Sequence, residues 1–167
     1  PNLSNVVTKF NRIRDFRIWS CGLKFLERAK LKPFKKIVVL DLFNNLIEEI
    51  PENTFDDLTN LEELKLLNNR LQSLPENLLW KLNSLKYFRA QENKIEALPA
   101  NFFDGTQIVE VQMFKNKLKK IAVNFRNYAS INLIDFLNND CINKCRGHYC
   151  EQISVDEMQN AIELSCK

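Results

Sequence analysis

Hydrophobic and polar positions follow one recurring phrase in this chain, LxxLxLxxNxLxxL, which is complete from Leu61 to Leu74. The phrase returns every 23 or 24 residues, and shifting the frame by one residue loses most of the matches. An internal repeat of this length is the signature of a repeat architecture, so it is interpreted before any single residue. Each coil begins at an apolar residue: Ile13, Ile37, Leu61, Leu85, Ile108 and Ile131. Because one coil cannot bury its apolar side chains alone, the pattern predicts that consecutive coils stack on a shared core.

The positions within a coil have separate roles. Inward-pointing apolar positions are illustrated by Ile37, Leu40, Leu42, Ile47 and Ile50, followed on the far side by Phe55, Leu58 and Leu61. The ninth position holds an amide in most coils: Asn45, Asn69, Asn93, Asn116 and Asn139. We expect these amides to be buried and bonded to backbone groups of neighbouring turns. Cys21 occupies the same position in the first coil, so we expect it to be a buried free thiol.

The coil frame predicts short parallel strands of about five residues that form one curved sheet. Their expected centres are Phe16, Leu40, Leu64, Phe88, Val111 and Ile134. Loops and short helical or 3₁₀ turns are expected opposite the sheet, for example at Pro51 to Phe55. Near the end of the chain, Ser154 and Glu157 have the spacing of a helix-capping box. A helix there would place Val155, Met158, Ala161 and Ile162 over Ile134 and Phe136 of the last coil.

From Ile13 to Cys141 the chain resembles the leucine-rich repeat family, in its typical 24-residue, mainly extracellular subclass. The resemblance implies an α/β solenoid shaped as a curved horseshoe, with a parallel concave sheet and a cysteine-rich C-terminal cap. Residues 1–12 would be a partial repeat, 13–138 the repeats and 139–167 the cap. The phrases DLFNN, LKLLNNRL, NNDCI and CRGHYC resemble secreted arthropod members, including mosquito immune-type proteins. They imply an extracellular recognition or scaffold protein that works through partner proteins.

Cysteines concentrate in the last 27 residues and indicate a secreted protein with a disulfide-bonded cap. The four are Cys141, Cys145, Cys150 and Cys166. Four cysteines allow three pairings, and we expect Cys141 to pair with Cys150 or Cys166. The family's usual cap begins with CxC, which this chain lacks, so its connectivity is not carried over. Zinc bound by these sulfurs and His148 is the alternative, but no CxxC pair is present, and we predict neither metal nor cofactor. Asn2 begins a glycosylation sequon.

The third, fifth and seventh positions of each coil should point away from the core onto the concave surface. The seventh position is apolar in five of six coils and charged residues flank it, which is the composition of a protein-binding surface. The predicted ligand-binding residues are Arg17, Trp19, Asp41, Phe43, Lys65, Leu67, Tyr87, Arg89, Phe114 and Leu137. The alternative is that these side chains only pack on one another and stiffen the sheet.

Other function classes find little support in the sequence. The net charge is +3, and the two lysine clusters fall at different repeat positions, so we expect solvated faces and no nucleic-acid partner. No apolar run reaches the ~18 residues that span a membrane. Catalytic motifs and a plausible triad are absent, so we predict no enzyme. Two hypotheses remain: capture of a protein ligand, or a structural scaffold. In the second, copies would join through an open amino-terminal end at Leu3, Val7 and Phe10, unless a longer protein covers that end.

Overall fold

The computed structural model describes residues 12–147 and 153–166. Strands in this part of the chain are short: β1 (Asp15–Arg17), β2 (Val39–Asp41), β3 (Glu63–Lys65), β4 (Tyr87–Arg89), β5 (Ala97–Leu98), β6 (Glu110–Gln112), β7 (Lys120–Ile121), β8 (Leu133–Asp135) and β9 (Cys145–Arg146). The order β1-β2-β3-β4-β6-β8 is parallel and in register, one strand from each coil. The central residues of these strands are the six predicted ones, which confirms the repeat frame.

Each of these strands has three residues, fewer than predicted, because the chain turns soon afterwards. The third residue after each strand has a positive φ between 52° and 57°: Ser20, Asn44, Asn68, Glu92, Lys115 and Asn138. Backbone bonds between coils continue as far as this turn. Ser20 N–H, for example, donates to Phe43 O at 3.1 Å, and Asn44 N–H donates to Leu67 O at 3.2 Å. The left-handed residue therefore ends the straight part of every coil.

Two pairings lie outside the prediction. Strands β5 and β7 form a separate two-stranded parallel ladder where consecutive coils run side by side beyond the sheet. Strand β9 pairs antiparallel with β8 and so closes the carboxyl edge of the main sheet. In residues 12–147 and 153–166 the helical structure consists of Arg28–Leu31, the 3₁₀ turns Lys32–Phe34 and Phe125–Asn127, and a C-terminal helix at Val155–Ser165. Short helical turns between strands agree with the sequence expectation.

The core runs continuously through the stacked coils. Leu40, Leu64, Phe88, Val111 and Ile134, at the centres of β2, β3, β4, β6 and β8, are fully buried. Phenylalanines fill the far side, where Phe102 and Phe103 lie with ring centroids 5.0 Å apart. Phe16, at the centre of β1, is only half-buried. The first coil is thus less enclosed than those that follow it.

The C-terminal helix lies against the 3₁₀ turn Phe125–Asn127 of the fifth coil and against β9. Its expected placement over Ile134 and Phe136 of the last coil stays a prediction. Ser154 and Glu157 form both bonds of the capping box. Met158 and Ile162 are buried against the core, and Gln159 Oε1 accepts a hydrogen bond from Phe125 N–H at 2.8 Å. On the outside, Arg126 Nε donates to Asp156 Oδ1 at 2.8 Å, and further guanidinium bonds reach Asn160 and Glu163. The helix is therefore held by apolar packing and by an ion-pair cluster at its rim.

Asparagines at the ninth position join neighbouring coils. Asn69 Oδ1 accepts from Ile47 N–H at 3.2 Å, and Asn69 Nδ2 donates to Leu42 O and Leu66 O, each at 3.0 Å. The same arrangement recurs at Asn45, Asn93, Asn116 and Asn139. We call these five residues the ladder asparagines. Asn45, Asn69, Asn93 and Asn116 are buried, and Asn139 is half-buried. The amide therefore serves two coils at once, because it has both a donor and an acceptor.

Cys21 is a free thiol, but the expectation that it is buried is wrong, because its side chain is exposed. Its Sγ donates to Trp19 O in its own coil, whereas Asn45 accepts from the backbone N–H of Cys21 and Leu23. An asparagine at this position bonds to the coil before it. Among the described residues, the Cys21 thiol bonds within its own coil and lies at the surface.

The cap contains a disulfide between Cys141 and Cys166, one of the two pairings expected for Cys141. Cys145, in β9, is also disulfide-bonded. These bonds engage three of the four sulfurs that the zinc alternative would use. The expected roles of Cys150, His148, Asn2 and the apolar residues before Asn11 lie outside the described residues.

Candidate functional site

The concave face presents the outward side chains of β1, β2, β3, β4, β6 and β8. In the column at the seventh coil position, Trp19 and Leu137 are exposed, whereas Phe43, Leu67 and Phe114 are half-buried. Trp19 contacts Phe43 edge-on, with ring centroids 6.4 Å apart. Successive parallel strands are about 4.8 Å apart, so large side chains on one face cover one another. The middle of this column is therefore partly packed, and its two ends are exposed.

Charged residues of the concave face form one network in the middle of the sheet. Lys65 Nζ lies 3.3 Å from Glu63 Oε2 and 3.8 Å from Asp41 Oδ2. Arg89 bonds to Glu63 on one side and lies 3.3 Å from Glu110 Oε2 on the other. Asp41 is buried, with 4% of its surface exposed, and its Oδ1 accepts a hydrogen bond from Phe43 N–H at 3.1 Å. These charges on four adjacent strands are mutually paired rather than isolated.

Cations also lie over aromatic rings at this surface. The Arg17 guanidinium is 5.4 Å from the centre of the Trp19 ring, and the Arg89 guanidinium is 5.9 Å from that of Tyr87. Arg17 also bonds to Asp15, and this hydrogen bond holds the pKa of Asp15 below its ordinary value. Such cation–π contacts add a weak attraction between neighbouring side chains of this surface.

The concave face contains a concavity of about 320 Å³ whose lining extends from the first coil to the fifth. It is lined by Trp19, Asp41, Phe43, Lys65, Leu67, Arg89, Gln91 and Gln112. Six of these are predicted ligand-binding residues. The predicted residues Arg17, Tyr87, Phe114 and Leu137 do not line the concavity. One wall of the concavity is mainly apolar, because seventh-position side chains such as Trp19, Phe43 and Leu67 form it. The other wall is mainly charged, because fifth-position side chains such as Asp41, Lys65 and Arg89 form it.

Gln91 and Gln112 are the two lining residues that the sequence analysis missed as candidates, and Gln91 is the more informative of the two. Only 7% of its surface is exposed, and its Oε1 atom is buried without a hydrogen-bond partner. Its Nε2 atom approaches Gln112 Oε1 at 3.5 Å, which is too long for a strong bond. The available sequence signal was that Gln91 is the single polar residue of an otherwise apolar column. A buried acceptor without a donor costs free energy, so such atoms usually have a ligand or a functional reason.

Asp135 lies at the other end of the concave face. Its Oδ1 accepts from Leu137 N–H at 3.0 Å, and no cation of the described residues forms an ion pair with it. Burial raises the pKa of Asp135 above its ordinary value, an effect that the Leu137 hydrogen bond partly opposes. This end of the face therefore carries a carboxylate that is poorly compensated.

Large apolar side chains are exposed away from the concave face as well. Phe25, Trp80 and Leu164 have 60% or more of their surface exposed. Trp80 lies beside the carboxylates of Glu76 and Asp104, and Asp104 accepts a bond from Tyr128 Oη at 2.8 Å. Burial and this bond raise the pKa of Tyr128 well above its ordinary value. These residues are scattered singly, which is normal for a protein surface.

The described residues contain no group of three or more histidine, cysteine, aspartate or glutamate side chains placed to hold a metal ion. Within the same residues, no helix has the length and apolar character needed to cross a membrane. The arrangement of the concave face is suited to contact with another molecule over a broad area, since its polar groups are spread along several strands.

Residues 35–95 match the family model described as leucine rich repeat. No curated protein matches the chain. Among solved structures, a chain in the Toll–Spatzle complex, described as a molecular hub in Drosophila development and innate immunity, is 24% identical with a TM-score of 0.69. The match covers 77% of this chain and 17% of that one. The leucine-rich repeat domain of APL1B is 20% identical with a TM-score of 0.72, over 82% of this chain and 42% of that one.

The chain thus spans well under half the length of both structures that it resembles. At these identities the likeness concerns the fold. Stacked coils, one strand from each coil in a parallel sheet, the ladder asparagines and the closing disulfide agree with it. The chain folds as a leucine-rich-repeat solenoid of parallel strands that ends in a disulfide-bonded cap.

Proposed function

We propose that this chain is a non-enzymatic, extracellular recognition module that binds a protein partner through its concave face. The observation that carries the proposal is the concavity with one apolar wall, Trp19, Phe43 and Leu67, and one charged wall, Asp41, Lys65 and Arg89. Apolar anchors beside charged and amide groups characterise protein interfaces, and tryptophan and arginine most often dominate their energetics. The cap disulfide supports an oxidising, secreted setting.

The structural neighbours support the same proposal. One of them belongs to a complex between Toll and Spatzle that is described as part of innate immunity. An immune-type or receptor-like role is accordingly the form of recognition that we propose for this chain. A protein partner also suits the shape of the surface, because the concavity is open and extends over adjacent strands.

A structural scaffold that joins copies of the chain is the second candidate. Its support lies at the first coil, where Phe25 is exposed, Phe16 is half-buried and Cys21 is a free surface thiol. Such a surface could join two chains end to end. In that case the concave face would contribute nothing to assembly.

The experiment compares variants of the immobilised chain for retention of partner proteins from extracellular fluid of the source organism. Phe43→Ser with Phe114→Ser removes two aromatic side chains of the concave column. Loss of anchors of this kind costs about 2 kcal/mol each, so retention should fall by more than tenfold. Glu52→Ser with Glu76→Ser is the control outside the concave face, and it should retain partners as the unchanged chain does.

Both Phe43 and Phe114 are half-buried, so the melting temperature of each variant is measured alongside retention. A lower melting temperature with unchanged retention would mean that the column only stiffens the sheet. Sedimentation equilibrium tests the scaffold. Self-association that Phe25→Ser abolishes, with concave variants having no effect, would replace recognition by assembly.

A further inference from the structure

The concave strands carry an excess of carboxylates, although the whole chain has a net charge of +3. Strands β1, β2, β3, β4, β6 and β8 hold five carboxylates and three cations. The carboxylates are Asp15, Asp41, Glu63, Glu110 and Asp135, and the cations are Arg17, Lys65 and Arg89. This surface is therefore acidic on a protein that is basic elsewhere, which favours a basic ligand there.

The three cations are already engaged by carboxylates of the same surface. Arg17 pairs with Asp15, and Arg89 lies between Glu63 and Glu110. Lys65 lies 3.3 Å from Glu63 but 3.8 Å from Asp41, so the Asp41 charge is the less well compensated of the two. Arg89 Nε is buried without a hydrogen-bond partner, but the Arg89 guanidinium as a whole is paired with two carboxylates. An acidic ligand would have to displace these ion pairs, whereas a basic one would add to them.

Gln91 provides an independent observation in the same concavity. It is nine-tenths buried, it lines the concavity, and its Oε1 atom lacks a donor. A rotation of the terminal amide would present this oxygen to a group lying in the groove. The missing partner must be a hydrogen-bond donor, and the ammonium of lysine and the guanidinium of arginine have only donors.

We propose that this concavity takes an extended basic segment of a protein partner, with its apolar side chains on Phe43 and Leu67 and a lysine or arginine donating to Gln91 Oε1. The inference rests on the proposed function and specifies the chemistry of the partner. The segment's remaining positive charge would lie along the carboxylates of the strands, beginning with Asp41. Its binding should therefore weaken as salt is added.

The test uses two short acetylated peptides, one alternating leucine with lysine and the other leucine with glutamate. Trp80→Phe removes the tryptophan outside the groove and leaves Trp19, which lines the concavity, as the fluorescent reporter. In this background the lysine peptide should give a saturable change in Trp19 emission that salt reduces. The glutamate peptide should give no change at the same concentrations.

Gln91→Lys places a positive charge in the groove, so it should weaken the affinity for the lysine peptide by about tenfold or more. Gln72→Lys is the matched control, since it makes the same charge change at an exposed residue that does not line the concavity. Gln91→Leu removes the acceptor without adding charge, and it should weaken the same peptide while leaving thermal stability equal or higher.

Any one of three results would overturn the basic-segment inference. The first is tighter binding of the glutamate peptide, and the second is no binding of either peptide. The third is an equal effect of Gln91→Lys and Gln72→Lys on binding of the lysine peptide. If partner retention still depended on Phe43 and Phe114, recognition through the concave face would stand with a partner of different chemistry. If neither aromatic change affected retention, the proposed function itself would fail. The two failures are therefore separated by different measurements on the same surface.

Discussion

Asn69 Nδ2 donates a hydrogen bond to Leu42 O, in the coil before it, at 3.0 Å. The same side chain accepts from Ile47 N–H, so one amide pairs two buried backbone groups of a neighbouring coil. This relationship recurs along the chain and ties each coil to the one before it. The position requires a donor and an acceptor in one short side chain, which explains why asparagine recurs there.

Replacing Asn69 by Ala should lower the free energy of unfolding by about 2 kcal/mol or more, because the buried Ile47 N–H loses its acceptor. Leu42 O and Leu66 O each lose one donor but keep the bonds from Asn45 Nδ2 and Asn93 Nδ2. Urea denaturation measures the change. Asn139→Ala is the matched variant and should cost less, since Asn139 is half-buried and water can replace part of its bonding. Equal losses at the two positions would contradict this account of the ladder asparagines.

Native thiol labelling should modify Cys21, because this cysteine is both free and exposed. Mass spectrometry after labelling identifies the modified residue, and Cys21→Ser should remove the signal from the first coil. Cys141 and Cys166 should remain unlabelled until reductant is added, since they are joined. Native labelling of Cys141 would show that the cap is reduced.

Removing the cap disulfide with Cys141→Ala and Cys166→Ala should lower the free energy of unfolding by about 3 kcal/mol, the usual contribution for a closed loop of this length. Thermal and urea unfolding both measure it. Cys21→Ser serves as the control, because an exposed substitution should change stability by less than about 0.5 kcal/mol. Equal stability of the two variants would mean that the helix is held by packing alone.

Asp135→Asn should raise stability at neutral pH. Burial raises the pKa of Asp135 in the folded state, so its charged form is disfavoured there and stability is lost as pH rises through that pKa. Asparagine keeps the bond from Leu137 N–H without the charge. The gain should disappear in acid, below the ordinary value of 3.8, where both side chains are neutral.

Asp15→Asn provides the opposite case for the same measurement of unfolding against pH. The hydrogen bond from Arg17 lowers the pKa of Asp15, so its charge contributes stability above the ordinary value of 3.8 that is lost as pH falls. This variant should therefore lose stability at neutral pH. Matching signs for Asp15→Asn and Asp135→Asn would contradict the assignment of their environments.

Much of the fold could be predicted from the sequence because the repeat fixes the register of every coil. The spacing of Leu61, Leu64 and Leu66 locates one strand, and its periodic copies locate the others. The bounds of the strands could not be predicted as well, because the left-handed turn is made by residues as different as Ser20, Glu92 and Lys115. These three residues share a backbone conformation but not a residue type, so the sequence does not mark where each strand ends.

Prediction of the candidate site was less complete, because coil position gives the direction of a side chain but not its burial. Trp19 and Gln91 occupy the same column, yet the first is exposed and the second is nearly buried. The difference depends on what lies on the adjacent strands and on how far each neighbour reaches. Cys21 shows the same limit, because it occupies the ninth position of the first coil and yet its side chain is exposed.

The ladder asparagines also influence the order in which the coils should open. Each amide connects adjacent coils only, so the stack behaves as a one-dimensional array in which every unit depends on its nearest neighbours. The disulfide and the helix secure one end, whereas Phe16 is half-buried at the other. In this chain, opening should therefore begin at the first coil and spread toward the cap. Amide hydrogen exchange would record this as a gradient of protection that increases from β1 to β8.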